Sequence, residues 1–311
     1  MADLKGEIGK LEKVSQELKE LKELAKLGEE DIAKELKEKC AKLEREIEEE
    51  ETRTFFSGNY DKNNAILQIS AGAGGVDAED WATMLLRMYE RYCQNKGFSV
   101  FVLSQSFGEG GGPEGRVGTK SVTLEIKGSY AFGYLKKESG IHRLVRQSPF
   151  SSSSLRHTSF AAVEVFPEIG EQGQKEIKID PDDLKIETFR ASGPGGQYVN
   201  RRESAIRITH LPTKITVSSQ AERLQGQNRQ NAMKVLYSKL YQLKEQEKKK
   251  EIEKIKGKEE SVSWGNQIRS YVLHPYKMVK DLRTGVETSD PESVLDGELD
   301  PFITAEIKNI K

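Results

Sequence analysis

The chain has 311 residues, which is long enough for two or three domains. Charged residues make up 32% of the sequence and hydrophobic residues 35%, so we expect a globular protein with an exposed helical arm. No run of 18 apolar residues is present to form a membrane-spanning helix, and the N-terminus lacks the features of a secretory signal or a transit peptide. We therefore expect a cytoplasmic protein without a membrane partner.

The cysteines and histidines give no sign of a disulfide framework or a metal site. Cys40 and Cys93 lie 53 positions apart, which argues for a reducing compartment. The four histidines are scattered and do not have the spacing of zinc ligands. We expect neither a metal nor a cofactor.

The net charge of −1 hides an uneven distribution of charge along the chain. Residues 1–56 carry 12 basic and 17 acidic side chains, whereas residues 190–240 carry nine basic and two acidic ones. A basic stretch in a near-neutral protein indicates binding of a polyanion. A solvated charged face explains the charge alone equally well.

The first part of the chain has the pattern of two helices. Apolar residues recur every three or four positions from Leu4 to Leu27, and a second series runs from Ile32 to Ile47. Gly28 separates the two series, so the pattern predicts an antiparallel helical hairpin with a narrow apolar seam. This arm carries no residues that suggest chemistry.

From residue 64 onwards, strands and helices alternate. We predict strands at 65–69, 98–103, 121–127, 161–166, 175–179 and 184–189, helices at 77–96, near 130–135 and at 228–255, and a hairpin of strands 205–209 and 214–218 that turns at 211–213. The glycine loop 71–75 lacks the Lys-Ser/Thr pair of a P-loop, so we expect a packing turn rather than a nucleotide site. Residues 108–118 are too rich in glycine for regular structure. The predicted fold class is α+β, with an all-helical N-terminal arm.

The segment Gly193-Pro194-Gly195-Gly196-Gln197 is the most informative part of the sequence. Two glycines after a proline allow a backbone N–H to approach another molecule and to donate to developing negative charge. The Gln197 side chain adds a neutral donor and acceptor that can position a water. Such a loop is more often an ordinary turn, but here four arginines flank it and suit it to RNA phosphates: Arg190, Arg201, Arg202 and Arg207. No Ser-His-Asp or Cys-His arrangement is evident, which disfavours a conventional covalent hydrolase.

Residues 192–200 (SGPGGQYVN) and 203–210 (ESAIRITH) resemble the catalytic domain of bacterial class I peptide-chain release factors. Further segments are similar to other parts of the same family, namely residues 64–106, 141–146, 264–273 and 281–288. The resemblance implies four parts: a helical arm at 1–58, a codon-recognition domain at 59–181, a peptidyl-tRNA hydrolysis domain at 182–258, and a C-terminal segment at 259–311 that packs back on the central domain and completes the codon-recognition superdomain.

Ser148-Pro149-Phe150 stands at the position of the family's codon-reading motif and resembles that of the members that read UAA and UGA. The resemblance implies that the Ser148 hydroxyl, which can donate and accept, tolerates A or G at the second codon base. Pro149 would stiffen the loop. His157 would stack on the third base and Thr158 would contact it. Without the resemblance, this tripeptide is an ordinary loop and His157 an ordinary core or surface histidine.

The chain departs from the family pattern in three places. Segment 110–119, which would read the first U with Glu114 and Arg116, is less acidic than its counterpart, and Arg116 stands where Glu is frequent. Pro194 and Tyr198 replace the commoner Ala and His beside the glycine pair, and Pro194 is shared with codon-independent rescue hydrolases. The N-terminal arm is short for the family, either because residues precede it or because the helical domain is reduced.

The resemblance implies a mechanism on the ribosome, with 16S and 23S rRNA, the mRNA stop codon and the P-site peptidyl-tRNA as partners. The codon domain would settle on UGA or UAA, and Gly195-Gly196-Gln197 would enter the peptidyl transferase centre. There the Gln197 N–H would stabilise the charge that develops during ester hydrolysis, and its side chain would admit water. Gln197 would carry an N5-methyl group added by a glutamine methyltransferase, and a GTPase release factor would recycle the protein. We expect a monomer that is not an autonomous enzyme.

Two alternatives remain open from the sequence. A rescue peptidyl-tRNA hydrolase would read no codon, but such proteins are usually much shorter and carry a basic tail, whereas residues 300–311 are not strongly basic. A non-catalytic RNA-binding or coiled-coil protein would leave the Gly-Gly-Gln loop unexplained.

Overall fold

The structure is a computed structural model that describes residues 9, 13–22, 37, 39–41, 43–44, 47, 50–56, 58, 60–108, 118–151, 155–169, 179–190, 204–256 and 267–309, with side chains as far as 244 in the last long helix. The chain forms two units, Met1–Ser57 and Gly58–Lys311. In the first unit, residues 13–22 and the described residues between 37 and 54 are helical, as the apolar seam predicts, while the turn at Gly28 lies outside the described residues. None of the described helices is long and apolar enough to cross a membrane.

The second unit is built from strands and helices in mixed order. Its described strands are β1 (Ala65–Ala71), β2 (Ser99–Phe107), β3 (Thr119–Lys127), β4 (Gly140–Gln147), β5 (Arg156–Pro167), β6 (Leu184–Phe189), β7 (Ala205–His210), β8 (Ile215–Ser219), β9 (Gln267–Val272), β10 (Met278–Asp281) and β11 (Glu287–Thr288). Its described helices are α1 (Val76–Asn95), α2 (Ala131–Leu135), α3 (Gln225–Lys256), α4 (Pro291–Leu295) and α5 (Asp300–Lys308). The α+β class is confirmed.

Eight of these strands form one large sheet in the order β11-β10-β9-β4-β5-β1-β3-β2. Neighbouring strands are antiparallel except β4 and β9, which run parallel. Strands β9 to β11 come from the C-terminal segment, so that segment extends the sheet formed by the central part of the chain, as expected. The other three strands form a small sheet in the order β6-β7-β8.

Helix α1 packs on the large sheet because its apolar residues recur at helical spacing and are buried, among them Trp81, Leu85, Met88, Tyr89 and Tyr92. The indole N–H of Trp81 donates to the backbone oxygen of His142 in β4 at 3.0 Å. Tyr271 of β9 packs edge-on against Trp81, with ring centroids 4.9 Å apart. The helix therefore joins the central strands and the C-terminal strands in one core.

A buried ion cluster fastens β9 to this core. Arg269 is fully buried, and its guanidinium donates to Glu138 at 2.7 and 2.8 Å and to Asp281 at 3.1 Å. Burial raises the pKa of Glu138, but the adjacent Arg269 outweighs that effect and holds the pKa below its usual value. The cluster links the C-terminal segment to the chain just before β4.

Some element boundaries differ from those predicted. The sequence prediction contains no strand at β4, and β5 begins at Arg156 rather than near 161. These stretches have no clear alternation of apolar and polar residues, and pairing between β4 and β5 satisfies their backbone hydrogen bonds. Strand β2 continues to Phe107 through pairing with β3. Most of the predicted strand 175–179 lies outside the described residues. The glycine loop pairs with β5 through a 2.8 Å bond from Gly72 N to Phe160 O, as expected of a packing turn.

Candidate functional site

The residues predicted to read a codon lie where β4 ends and β5 begins. The strands are antiparallel, and their register places Arg146 opposite His157. The connecting residues 148–155, which we call the codon loop, are closed at the base by a 2.9 Å hydrogen bond from Ser148 N to Leu155 O. Ser148 and His157, which are nine positions apart in the sequence, therefore meet at one end of the sheet.

Asp77, which the sequence analysis did not single out, holds these two residues together. Its Oδ2 accepts a hydrogen bond from Ser148 Oγ at 2.7 Å and lies 2.9 Å from His157 Nδ1. Asp77 is 5% exposed and belongs to the first turn of α1, where the helix dipole and free N–H groups stabilise negative charge. Ser148 is 4% exposed, and its Oγ also accepts from the N–H of Phe150 at 3.1 Å. The serine hydroxyl is therefore oriented by two partners inside the protein.

Arg146 adds a charged link between the end of β4 and helix α1. One guanidinium nitrogen lies 3.3 Å from Asp77 Oδ1 and 2.5 Å from Asp80 Oδ2, and another lies 3.4 Å from Met84 Sδ. A single cation thus faces two carboxylates that are one helical turn apart. Charge-assisted bonds of this kind are short and directional, so they define the position of the codon loop relative to the helix.

The start of β5 presents an exposed surface beside the codon loop. Leu155, Arg156, His157 and Thr158 are all exposed, and the side chain of His157 is 44% exposed although it contacts Asp77. Successive residues of a strand face opposite sides, so Thr158 lies on the face of β5 opposite to His157. The structure therefore brings together Ser148 and His157, but not Thr158.

The predicted hydrolysis residues are bounded by the first two strands of the small sheet. Outside the described residues lie Gly195, Gly196, Gln197, Arg201, Arg202, Glu114 and Arg116. Strands β6 and β7 pair with Phe189 opposite Ala205. Residues 191–203, which we call the hydrolysis segment, therefore leave the small sheet and return to it at neighbouring positions.

Two of the arginines predicted to bind RNA lie near this point. Arg190 is exposed at the end of β6, and Arg207 is exposed on β7. The guanidinium of Arg207 lies 5.1 Å from the ring centroid of Phe189, in a cation–π contact. Positive charge is thus present on the solvent side of the small sheet beside the hydrolysis segment.

Asn228 of α3 fixes the chain where it returns from the hydrolysis segment. Its side chain is fully buried and donates to the backbone oxygens of Ser204 and Glu222, each at 2.8 Å. Its own oxygen lies 3.0 Å from Glu222 N and 3.2 Å from Ser219 Oγ. Because both the amide nitrogen and the amide oxygen are satisfied, Asn228 holds Ser204 in one position without an unpaired buried polar group.

Comparison with known proteins gives one consistent family. The PCRF domain family matches residues 1–163, and the RF-1 domain family matches residues 173–283. A protein of Thermotoga petrophila named peptide chain release factor 2 is 54% identical over 279 residues, which cover 90% of this chain and 74% of the relative. The factor of the same name from Staphylococcus epidermidis is 51% identical over 280 residues, with the same coverage of both chains.

A solved structure, RF2 of Thermus thermophilus, matches with a TM-score of 0.76 and 41% identity, and the match covers 99% of this chain and 85% of that one. The chain belongs to the release factor 2 family. It is accordingly a class I factor of translation termination that recognises stop codons.

The sequence analysis missed two residues that contact the ends of the candidate segments. Asp77 had a signal, because it is an acidic residue in the first turn of a predicted helix that follows a glycine loop. Asn228 had no signal in the sequence, because it is one of several polar residues at the start of α3. Only its burial in the structure distinguishes it from them.

Proposed function

We propose that this release factor 2 chain reads UGA and UAA through Ser148, Pro149, Phe150, His157 and Thr158. The observation that supports this assignment best is the shared contact with Asp77, at 2.7 Å from Ser148 Oγ and 2.9 Å from His157 Nδ1. One buried carboxylate thereby sets the distance between the residue proposed for the second base and the residue proposed for the third.

The chemistry of these side chains suits the two codons. In this structure the Ser148 hydroxyl is buried and bonded to Asp77 and to the N–H of Phe150, so we propose that it turns from these partners towards the codon on the ribosome. A serine hydroxyl can donate or accept, so it would then tolerate the amino group of A and the carbonyl group of G at the second position. The exposed His157 ring offers a flat surface on which a splayed third base can stack. We assign the first U to segment 110–119, with Glu114 and Arg116.

We assign hydrolysis of the peptidyl-tRNA ester to Gly195, Gly196 and Gln197. The Gln197 N–H stabilises the oxyanion that develops as water attacks, and its side chain admits water while it excludes larger nucleophiles. Two observations support this assignment. The strands on either side of the hydrolysis segment pair with each other, and Asn228 donates a hydrogen bond to the backbone oxygen of Ser204 at its end. The arginines that we assign to rRNA and tRNA phosphates are Arg190, Arg201, Arg202 and Arg207.

The remaining parts of the proposal concern partners and organisation. The ribosome and the stop codon are partners by family membership. We propose in addition that a methyltransferase modifies Gln197, that a GTPase factor recycles the protein, and that the chain acts as a cytoplasmic monomer which hydrolyses no ester without the ribosome. The proposed domains are 1–58, 59–181, 182–258 and 259–311.

The proposal is tested by peptide release from ribosomes that hold labelled peptidyl-tRNA with UGA, UAA, UAG or UGG in the A site. Release at UGA and UAA only is expected. Gln197→Ala should abolish release at UGA while ribosome binding persists, and Gln225→Ala, at an exposed glutamine of α3, serves as the matched control. Release on all four codons would favour a codon-independent rescue hydrolase. Release that does not depend on Gln197 would contradict the catalytic assignment.

A further inference from the structure

The turn that joins β9 to β10 lies at the same end of the large sheet as the codon loop. Strands β4 and β9 are neighbours and run parallel, with Val145 opposite Val272. Their last residues therefore lie side by side, and the chain then continues from β9 into residues 273–277, which we call the hairpin turn. A hydrogen bond of 2.8 Å from Leu273 N to Val145 O extends the pairing into this turn. The hairpin turn thus begins beside the residues that lead from β4 into the codon loop.

A row of side chains connects the hairpin turn with the residue proposed for the third base. Thr158 of β5 lies opposite Val145, which in turn lies opposite Val272, so the three side chains share one face of the sheet. Neighbouring strands are about 4.8 Å apart, which places Thr158 and Val272 roughly 10 Å from each other. A nucleic acid strand advances about 3.4 Å per stacked nucleotide, and further where its bases are splayed. The nucleotide that follows the third base is therefore within reach of the hairpin turn.

Tyr276 gives the hairpin turn an accessible aromatic surface, since it is 57% exposed. The residues on both sides of it restrain the backbone. Pro275 has a fixed φ, and the ammonium of Lys277 pairs with Glu292 of α4. A ring that is already held in place loses little conformational freedom on binding. Stacking on a base needs such a flat, accessible surface and tolerates any base.

The charges at this end of the sheet suit RNA. Arg156 is exposed and lies two residues before Thr158, so the two side chains share a face of β5. The acidic residue that contacts the hairpin turn, Glu292, is paired with Lys277, which offsets its charge. An exposed ring together with an exposed guanidinium is the combination by which proteins bind single-stranded nucleic acid.

We propose that Tyr276 stacks on the base of the nucleotide that follows the stop codon. This inference rests on the proposed function, in which Ser148, His157 and Thr158 read the second and third bases. The hairpin turn then extends the contact with the mRNA by one base beyond the codon. The contact strengthens binding without selecting a particular codon, because every base has a face on which a tyrosine ring can stack.

The test measures peptide release at UGA with two mRNAs that differ only in the nucleotide after the codon. One carries adenosine there, and the other carries an abasic nucleotide, which keeps the sugar and phosphate but has no base to stack. With adenosine, Tyr276→Ala should lower kcat/KM by about 5- to 150-fold, through KM rather than kcat. With the abasic nucleotide, the unchanged protein should show the same loss, and Tyr276→Ala should change kcat/KM by less than about twofold.

Two variants serve as controls. Tyr276→Phe keeps the ring, so kcat/KM on both mRNAs should stay within about twofold of that of the unchanged protein. Phe101→Ala removes another exposed aromatic side chain, on β2 at the far edge of the large sheet, and should leave both values unchanged.

Three outcomes would overturn the inference. One is an unchanged kcat/KM for Tyr276→Ala that thermal unfolding shows to be folded. Another is an equal loss for this variant on both mRNAs, since the ring would then contact rRNA or support the hairpin turn itself. The third is equal release by the unchanged protein on the two mRNAs, a result that does not depend on the stability of any variant. Failure of the unchanged protein to release at UGA followed by adenosine would instead contradict the proposed function.

Discussion

Replacement of Asp77 by Asn should weaken codon reading without impairing hydrolysis. Asp77 presents its carboxylate to Ser148, His157 and Arg146, at distances between 2.7 and 3.3 Å. An amide keeps one acceptor oxygen and turns the other position into a donor, so at least one charge-assisted hydrogen bond is lost, at about 1.5–3 kcal/mol. If the whole of this free energy is lost from binding of the stop codon, kcat/KM at UGA falls roughly 10- to 150-fold.

The assay is peptide release at UGA over a range of factor concentrations. The loss should appear as a higher KM, while kcat at saturation stays near its original value because the hydrolysis segment is unchanged. Asp182→Asn, at an exposed residue outside both segments, controls for loss of one negative charge. A change of less than twofold in KM, or a loss confined to kcat, would refute the reasoning.

Three further predictions concern stability and reactivity. Glu138→Gln breaks the buried pair with Arg269 and should lower the free energy of unfolding, measured by denaturant titration, by about 3–5 kcal/mol. Glu287→Gln, in an exposed pair, should lower it by less than about 1 kcal/mol. Equal costs for the two variants would contradict this reasoning. Burial lowers the pKa of His142 to about 4, so between pH 6.5 and 4 the unfolded chain takes up a proton that the folded protein does not. The free energy of unfolding should therefore fall by about 3 kcal/mol as the pH is lowered through this range. His142→Gln should flatten that part of the pH profile. Burial raises the pKa of the Cys93 thiol to about 12, so alkylation at pH 8 followed by mass spectrometry should detect its modification only after unfolding.

Much of the fold could be predicted from local patterns. Helix α1, helix α3, strand β6 and the β7–β8 hairpin lie close to their predicted bounds, because each has a clear apolar period or a marked turn. Strand β4 could not be predicted in this way. It lies between β5 and β9, and its alternation is interrupted by buried His142 and by Arg146. The ring of His142 contacts Tyr89 and Tyr271, and Arg146 contacts Asp80, all of which are far away in sequence.

The candidate site shows the same division. The residue types at Ser148, His157 and Gln197 carry chemistry that can be recognised along the chain, and they led to the correct family. The contact of Asp77 with Ser148 and His157 could not be predicted, because Asp77 lies 71 positions from Ser148 and 80 from His157. It reaches them only when α1 packs on the sheet.

The sequence by itself determined the α+β class, the helical pattern of the arm and the residue types in the two segments proposed to carry the function, because periodicity and side-chain type are local properties. Only the tertiary structure decided how those segments are held. Ser148 contacts Asp77 of α1, and Ser204 contacts Asn228 of α3. Both contacts join residues that lie apart in sequence, and each depends on the packing of a helix against strands. Hydrogen bonds and close packing act over a few ångströms, so their partners exist only once the chain has folded.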